Sequence, residues 1–326
     1  MQDFKKLFES FSSLKVGVIG DVMLDTYMWG RVDRISPEAP VPVVSLHHKE
    51  YRIGGAGNVA LNCQSLGADV SLLSVTGDDG EAILLQELLE SYCIDTSYFF
   101  KSADRITTNK TRIIQPHHLL VAEITQDLRQ KDEEVLLEKV QHYIAADDPD
   151  IIIFEDYNKG VLTEKIIYEV IALCRQAGII TSVDPKRKNF FSYTGVDIFK
   201  PNVKEIKESL NLLQDELNNS SLQHIHARLE KILNHHVSLI TLSEKGIFYQ
   251  HDNSAAIIPS HLRNIADVSG AGDTVIAVAS LVFAVTKNAH LMTEVANIAG
   301  GLVCEEVGTV AINKEKLLNE CELLLS

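Results

Sequence analysis

Short apolar runs rich in β-branched residues alternate along this chain with segments of helical periodicity, and this alternation restricts the possible folds more than any other feature. The apolar runs occupy residues 16–19, 68–75, 150–154, 178–183 and 238–242. Between them, apolar side chains recur every three or four residues in segments 78–92, 131–145, 163–177, 203–213 and 221–233. Strands that alternate with helices build a mostly parallel sheet with helices on both faces. The sequence therefore predicts a three-layer, doubly wound α/β fold.

Two regions interrupt this rhythm with strands that lack intervening helices. Residues 35–53 contain three of the eight prolines, and residues 99–125 contain the strand-like strings RITTNKTRIIQ and LLVAEIT. Because no flexible linker separates these regions from the rest, we expect a small β lid on one domain that covers residues 1–326. The strings SLITLSEKGIFYQ and SAAIIPS predict antiparallel strands at the end of the main sheet. Helices are expected to follow near 273–286, 293–307 and 314–324.

The composition indicates a folded, acidic protein. Of the 326 residues, 45% are hydrophobic and 23% are charged, and the formal net charge is −15. These values exclude a disordered or fibrous chain, and the negative charge disfavours binding to nucleic acid or to an anionic membrane. The longest uncharged stretch in the C-terminal half, 274–286, is too short to span a bilayer, and the N-terminus lacks a secretory signal. The five cysteines include no CxxC pair, which favours a reduced, cytoplasmic protein.

The string DVSGAGDT, residues 267–274, is the most specific local feature. Gly270, Ala271 and Gly272 allow consecutive backbone N–H groups to point into one concavity at the start of an apolar helix, where an anion is also favoured by the helix dipole. Asp273 would lie beside that anion and could accept a proton from an attacking hydroxyl group. A tight turn with an acidic first helical turn is the simpler interpretation, but it needs only one glycine.

A second glycine motif, GGAGNVA, occupies residues 54–60. Gly54 and Gly55 permit close approach of the backbone to a ligand, and Asn58 can both donate to and accept from sugar hydroxyl groups. The string also matches the GxGxxA fingerprint of dinucleotide-binding folds, which leaves a nucleotide-dependent dehydrogenase as an alternative. That fingerprint belongs directly after the first buried strand, whereas these glycines follow a polar, proline-rich stretch.

The string NVKE at residues 202–205 follows a strand-like segment and has two compatible interpretations. Asn202 and Glu205 have the spacing of a helix N-cap with its capping-box glutamate. The same two side chains could stand beside nucleotide phosphates and a hydrated magnesium ion. No GxxxxGK[ST] string occurs, which argues against a P-loop nucleotide-binding protein.

The order and separation of GGAGNVA, NVKE and DVSGAGDT resemble those of the ribokinase-like (PfkB) carbohydrate kinases over nearly the whole chain. Within that family the chain is most similar to the heptose-7-phosphate kinase module of ADP-heptose synthesis. The strings GDVMLDTYMWGRVDRISPEAPVPVV, EDYNKGVLT, DPKRKNFF and KPNVKE carry this likeness. RISPEAPVPVV discriminates best, because general sugar kinases seldom contain it.

The resemblance implies ATP and Mg²⁺ as cofactors and transfer to the anomeric hydroxyl group of D-glycero-D-manno-heptose 7-phosphate; activation by a monovalent cation stays open. It implies Asp273 as the catalytic base and Gly270, Ala271 and Gly272 as the anion hole. Asn202, Glu205, Ser243 and Gly246 would then serve the nucleotide, with Glu205 reaching the metal through water. Asp25, Gly54, Gly55 and Asn58 would line the sugar site.

The phosphate of such a substrate needs local cations in an acidic protein. Arg31 and Arg34 precede the proline-rich segment, while Lys159 and Lys186 each follow a predicted strand end, so we expect these four residues to bind it. Glu123 stands where relatives would be expected to carry a basic residue. Absence of an HxGH-like string predicts a kinase without a nucleotidyltransferase domain, and exposed lid strands favour a homodimer. Kinases for other sugars, and a catalytically silent sugar-binding regulator, are the remaining alternatives.

Overall fold

The computed structural model describes residues 3–115, 118–212 and 218–325. In chain order its strands are β1 (Lys15–Gly20), β2 (Val22–Ile35), β3 (Pro42–Gly55), β4 (Asp69–Leu73), β5 (Val75–Gly77), β6 (Phe100–Ser102), β7 (Asn109–Gln115), β8 (His118–Ala122), β9 (Ile151–Glu155), β10 (Ile180–Asp184), β11 (Ile198–Phe199), β12 (Val237–Thr241), β13 (Ile247–His251) and β14 (Ser254–Ile258). Its α-helices are α1 (Phe4–Ser10), α2 (Ala56–Ser65), α3 (Gly80–Ser91), α4 (Gln130–Asp147), α5 (Glu164–Ala177), α6 (Val203–Leu210), α7 (Asn219–Leu233), α8 (Ala271–Thr286), α9 (Ala289–Val303) and α10 (Lys314–Leu324).

An eight-stranded sheet forms the centre of the molecule, in the order β14-β13-β12-β11-β10-β9-β1-β4. Strands β4, β1, β9, β10, β11 and β12 run parallel, and β13 and β14 continue the sheet antiparallel. The predicted fold class is confirmed, including the antiparallel finish. The parallel part places the carboxyl ends of its strands along one edge.

Two hydrophobic cores fill the space between this sheet and its helices. Along β9, Ile151 and Ile153 belong to one core, and Ile152 and Phe154 belong to the other. The first core includes apolar residues of α1, α2, α8 and α9, and the second includes residues of α4, α5, α6 and α7. Both faces of the sheet are therefore shielded from solvent, which explains why the sequences of the central strands are continuous apolar runs.

A separate four-stranded sheet, in the order β3-β2-β7-β8, corresponds to the expected lid; we call it the lid sheet. Its first hairpin begins at Val22, well before the predicted segment 35–53. Residues 22–27 are all buried, so this part of β2 lacks the polar alternation that marks a half-exposed strand. In the second predicted segment, β6 pairs with β5 instead of joining the lid sheet, and residues 116–117 lie outside the described part of the chain.

Several helices differ from the prediction. The glycine motif at 54–60 is not only a loop, because α2 begins at Ala56 within it, and α1 was not predicted. Helix α9 begins at Ala289, earlier than the expected 293, because the Asn288 side chain caps it by accepting from the Leu291 N–H. The predicted end of α6, residue 213, is not among the described residues. Within the described ranges, every helix is too short or too polar to cross a membrane.

Candidate active site

Buried polar groups collect where the parallel strands end. Asp21 follows β1, Glu155 ends β9, Asp184 ends β10 and Lys200 follows β11, and all four are almost completely buried. Adjacent parallel strands bring these groups to the same edge of the sheet. Because charged side chains are rarely fully buried and clusters of them are typical of active sites, this edge is the strongest candidate for a functional site.

Asp273 reaches this edge from the first turn of α8. The helix is capped by Gly270 in the left-handed conformation, with φ of 78°. One carboxylate oxygen of Asp273 accepts from Asn58 Nδ2 at 2.6 Å, and the other accepts from the Tyr157 hydroxyl group at 2.7 Å. Burial raises the pKa of Asp273, while these two hydrogen bonds act to lower it. The two glycine motifs, far apart in sequence, thus meet at one carboxylate.

The loop after β9 holds Tyr157, which the sequence analysis did not single out. The Asp21 carboxylate anchors this loop by accepting the backbone N–H groups of Tyr157, Lys159 and Val161, each at 2.9 Å. Three N–H donors converge on one buried acid, so the backbone path of residues 157–161 is fixed. The string EDYNKG signalled this loop only as part of the family likeness; no local pattern linked it to Asp21.

Asp184 joins two lysines beside Asp273. Lys186 Nζ and Lys200 Nζ each lie 2.9 Å from one of its carboxylate oxygens, and Lys186 Nζ also lies 3.0 Å from Glu205. Although burial raises the pKa of Asp184, the two ammonium groups bring it below its usual value. Glu205 in turn accepts from the Asn202 N–H, and Asn202 accepts from the Glu205 N–H. The capping box is therefore present and does not prevent Glu205 from facing the cluster.

Glu155 is the one buried acid of this edge whose two carboxylate oxygens have no hydrogen-bond partner among the described residues. One oxygen each of Glu155, Asp184 and Asp273 lie within 4.8 Å of one another. Burial, reinforced by the two neighbouring acids, raises the pKa of Glu155 well above its usual value. An all-oxygen donor set of this kind suits a hard divalent cation such as Mg²⁺. A cation would also satisfy the orphaned Glu155 oxygens.

The residues expected at the sugar site lie where the lid sheet meets the main domain. Asp25 is buried in β2, 2.9 Å from Arg112 Nη1 and within 3.2 Å of the Thr309 hydroxyl group. Gly54 leaves room for Asp25, because a β-carbon there would come within 3.0 Å of Oδ2. Gly55 has φ of 59° and caps α2. Asn58, near the start of this helix, contacts Asp273, and Thr309, which contacts Asp25, lies beside Gly270.

The remaining predicted residues are distributed over three places. Arg31 pairs with Asp33 on the exposed outer half of β2, where Arg34 is also exposed. Ser243 is exposed, and the nearby Gly246 is buried in the turn between β12 and β13. Lys159 Nζ lies 2.7 Å from Glu123, so it has a different acidic partner from Lys186.

Comparison with known proteins identifies the family. The model of the pfkB family carbohydrate kinases matches residues 13–316. The chain belongs to this family. It is therefore a phosphotransferase, and the dehydrogenase alternative is wrong: GGAGNVA ends β3 and opens α2 instead of following β1. Membership also argues against a silent regulator, since Asp273 and its glycines are retained.

Curated relatives and solved structures agree with this assignment. The kinase is 36% identical over 324 residues to the bifunctional protein HldE of Citrifermentans bemidjiense, covering 98% of this chain and 66% of that protein. It is 38% identical over 307 residues to the bifunctional protein HldE of Methylobacillus flagellatus, covering 94% and 62%. The chain thus spans less than two thirds of the length of these relatives.

Two solved structures show the same fold at low sequence identity. Phosphofructokinase-2 from Escherichia coli, in complex with substrates and products, has a TM-score of 0.79 at 14% identity and covers 96% of this chain and 100% of its own. Arabidopsis thaliana ribokinase, complexed with ribose and ATP, has a TM-score of 0.72 at 16% identity and covers 94% and 98%. The fold of the kinase is therefore ribokinase-like.

We predict different effects on stability for alanine at two glycines of the DVSGAGDT motif. In Gly270→Ala, the β-carbon is strained at positive φ and would come within 2.9 Å of Asn58 Nδ2, so we expect a loss of about 1–2 kcal/mol of unfolding free energy. Gly272→Ala is the matched control, because its β-carbon would lie 3.5 Å from Asp184 and 3.6 Å from Lys200. Urea unfolding of both variants measures the difference. Equal stability would contradict the proposed strain.

A second prediction concerns the anchor of the Tyr157 loop. Asp21→Asn replaces one acceptor oxygen by an N–H donor, so at least one buried backbone N–H loses its partner, at a cost of about 1–3 kcal/mol. We expect lower stability together with a lower kcat, because Tyr157 would no longer be fixed against Asp273. Asp150→Asn is the control, since Asp150 accepts a single N–H from Lys15 at an exposed strand start. A stable but inactive Asp21→Asn variant would assign Asp21 a direct chemical role instead.

Proposed function

We propose that this kinase transfers the γ-phosphoryl group of ATP to the anomeric (C1) hydroxyl group of D-glycero-D-manno-heptose 7-phosphate. The product would be heptose 1,7-bisphosphate, a precursor for ADP-heptose and lipopolysaccharide core synthesis. The buried Asp273 carboxylate at the start of α8 carries the proposal of phosphoryl transfer. The similarity to HldE proteins over nearly the whole chain supports the choice of heptose. Kinases for ribose, fructose or fructose 6-phosphate are the alternatives within the family.

Asp273 would act as the general base. Each carboxylate oxygen accepts one hydrogen bond, from Asn58 or from Tyr157, and retains a second lone pair that can accept the proton of the sugar hydroxyl group. The two bonds hold the carboxylate in one orientation, so little reorganisation is needed when the sugar arrives. Asp25, Gly54, Gly55 and Asn58 would bind the sugar beside it.

The N-terminus of α8 would stabilise the charge on the transferred phosphoryl group. Gly270, Ala271 and Gly272 lie at the positive end of the helix dipole, where backbone N–H groups favour an anion. The Ala271 N–H has a long hydrogen bond of 3.3 Å to the Val268 carbonyl group, which a phosphoryl oxygen could replace. Lys186 and Lys200, next to Asp184, would add positive charge.

On the nucleotide side, Asn202, Glu205, Ser243 and Gly246 would contact ATP. Glu155 and Asp184 would hold Mg²⁺, because together with Asp273 they form a buried all-oxygen donor set. Glu205 would act on the metal through water. Mg²⁺ neutralises charge on the phosphates of ATP when it is bound. A monovalent cation is a further candidate, since E. coli phosphofructokinase-2 has been crystallised with potassium.

We also infer a homodimer through the lid sheet, in a cytoplasmic protein that binds neither nucleic acid nor membrane. The exposed apolar side chains Ile35, Val41 and Leu46 support a covered lid surface, because each exposes at least half of its area. The single-domain organisation over residues 1–326 stays part of this proposal.

Asp273→Asn tests the base. The amide keeps the shape of the side chain in the first turn of α8 but cannot accept the proton, so we expect kcat to fall about 10²- to 10⁴-fold with little change in KM for ATP. Glu164→Gln, which changes an acid in the first turn of α5, is the matched control. The assay measures ATP consumption with heptose 7-phosphate, fructose 6-phosphate, ribose and adenosine. Turnover within a few-fold of the parent would remove Asp273 from this role.

The lid sheet is expected to close over the sugar and exclude water that would compete as acceptor. Hydrogen exchange of residues 35–53 should slow when sugar and nucleotide are bound together. The turn between β13 and β14, another antiparallel hairpin, is the internal control and should exchange at an unchanged rate. Identical exchange of residues 35–53 with and without ligands would count against a lid.

A further inference from the structure

The Glu123 carboxylate is shared by a lysine of the lid sheet and a lysine of the main domain. Lys110 Nζ, from β7, lies 2.8 Å from one oxygen of Glu123, and Lys159 Nζ, from the loop after β9, lies 2.7 Å from the other. Lys159 Nζ also lies 3.3 Å from the Thr125 hydroxyl group. Although partial burial raises the pKa of Glu123, hydrogen bonds from both lysines lower it to about 2. Glu123 is therefore an anion held by two cations.

This lysine pair borders the sugar site. Lys110 stands opposite Asp25 in the register of β7 and β2, and Asp25 lies against Gly54 at the start of α2. Lys159 is two residues beyond Tyr157, which contacts Asp273. A ligand that lies between Asp25 and Asp273 would thus have the pair within reach of its far end.

The charge balance distinguishes this pair from the two lysines beside Asp184. Lys186 and Lys200 stand among four acids, namely Glu155, Asp184, Glu205 and Asp273. Lys110 and Lys159 share a single carboxylate. A dianion has a more favourable electrostatic energy beside two cations that have one acidic neighbour than beside two cations that have four, because each acid repels it.

We propose that Lys110, Lys159 and Thr125 form the subsite for a phosphate monoester on the sugar substrate, and that this phosphate takes the place of Glu123. The inference rests on the proposed function, which supplies a phosphorylated sugar. A phosphate monoester offers three acceptor oxygens to the two ammonium groups and the hydroxyl group. The Glu123 side chain can turn toward solvent when the phosphate binds, because the residue follows the end of β8 and its side chain is 30% exposed.

The proposal changes which basic residues bind the phosphate. Lys159 keeps the role expected from the sequence, and Lys110 joins it. Lys186 is assigned to the acids at the phosphoryl-transfer edge, and Arg31 and Arg34 lie on the outer half of β2. Glu123 becomes a selectivity element: it fills the subsite when a sugar lacks a phosphate and is displaced when the phosphate is present.

Steady-state kinetics of single variants test this assignment. Lys110→Met and Lys159→Met should each raise KM for heptose 7-phosphate about ten- to a hundredfold, while KM for ATP and for unphosphorylated heptose stays within about twofold. Glu123→Gln should act in the opposite direction and lower KM for heptose 7-phosphate about two- to tenfold, because the competing anion is removed. Lys188→Met, which removes an exposed lysine paired with Asp127, is the control and should change none of these values.

Three results would overturn the subsite. Equal losses for phosphorylated and unphosphorylated heptose would make the lysines structural or sugar-binding residues. A Glu123→Gln variant that loses heptose 7-phosphate affinity as the lysine variants do would make Glu123 a fixed structural link. A rise in KM for ATP in the lysine variants would assign the lysines to the nucleotide phosphates instead.

Inorganic phosphate separates failure of the subsite from failure of the proposed function. It should raise the Tm of the parent protein more than that of Lys110→Met or Lys159→Met, whatever sugar is the substrate. If this difference in Tm is observed but the parent protein does not turn over heptose 7-phosphate, the proposed function is wrong and the subsite is supported. Turnover of heptose 7-phosphate with unchanged KM in both lysine variants would support the proposed function and overturn the subsite.

Discussion

The active-site edge depends on one buried carboxylate that accepts three backbone N–H groups. Asp21 follows β1, the strand between β4 and β9, and binds the loop that leaves β9. That loop carries Tyr157 toward Asp273 and Lys159 toward Glu123, so both ends of the proposed sugar site take their positions from the same anchor. An ionised acid suits this role because it is an acceptor only, and its two oxygens can serve several donors at once.

Much of the fold was predictable because the central strands are buried on both faces and the helices are amphipathic, so each gives a strong local pattern. The β10–α5 region illustrates this: apolar runs and helical periodicity gave both elements within about two residues. The first half of β2 was missed for the opposite reason. Val22 and Leu24 are buried in the first hydrophobic core together with residues of α2, and such tertiary contacts leave no local signature.

The candidate site divides in the same way. Asp273 and its glycines were predictable because a helix start that approaches an anion requires small residues and an acid in fixed order. Tyr157 and Lys110 were not, because their roles come from partners far away in sequence: Tyr157 and Asp273 are 116 residues apart. Glu155 was also missed; at the end of an apolar strand its side chain looks like an ordinary exposed terminus, and only the sheet shows that it is enclosed.

The packing of α8 against β9 has a consequence for the folding of the chain during its synthesis. The strands β1, β4 and β9 can pair once residue 155 has been synthesised, and α2 is then available to cover β1 and β4, yet the same face of β9 packs against α8, residues 271–286. A nascent chain therefore displays Ile151 and Ile153 of β9 to solvent through the synthesis of more than a hundred further residues. Such a surface is a target for chaperones on the ribosome, and arrest of translation within this interval would release an aggregation-prone chain.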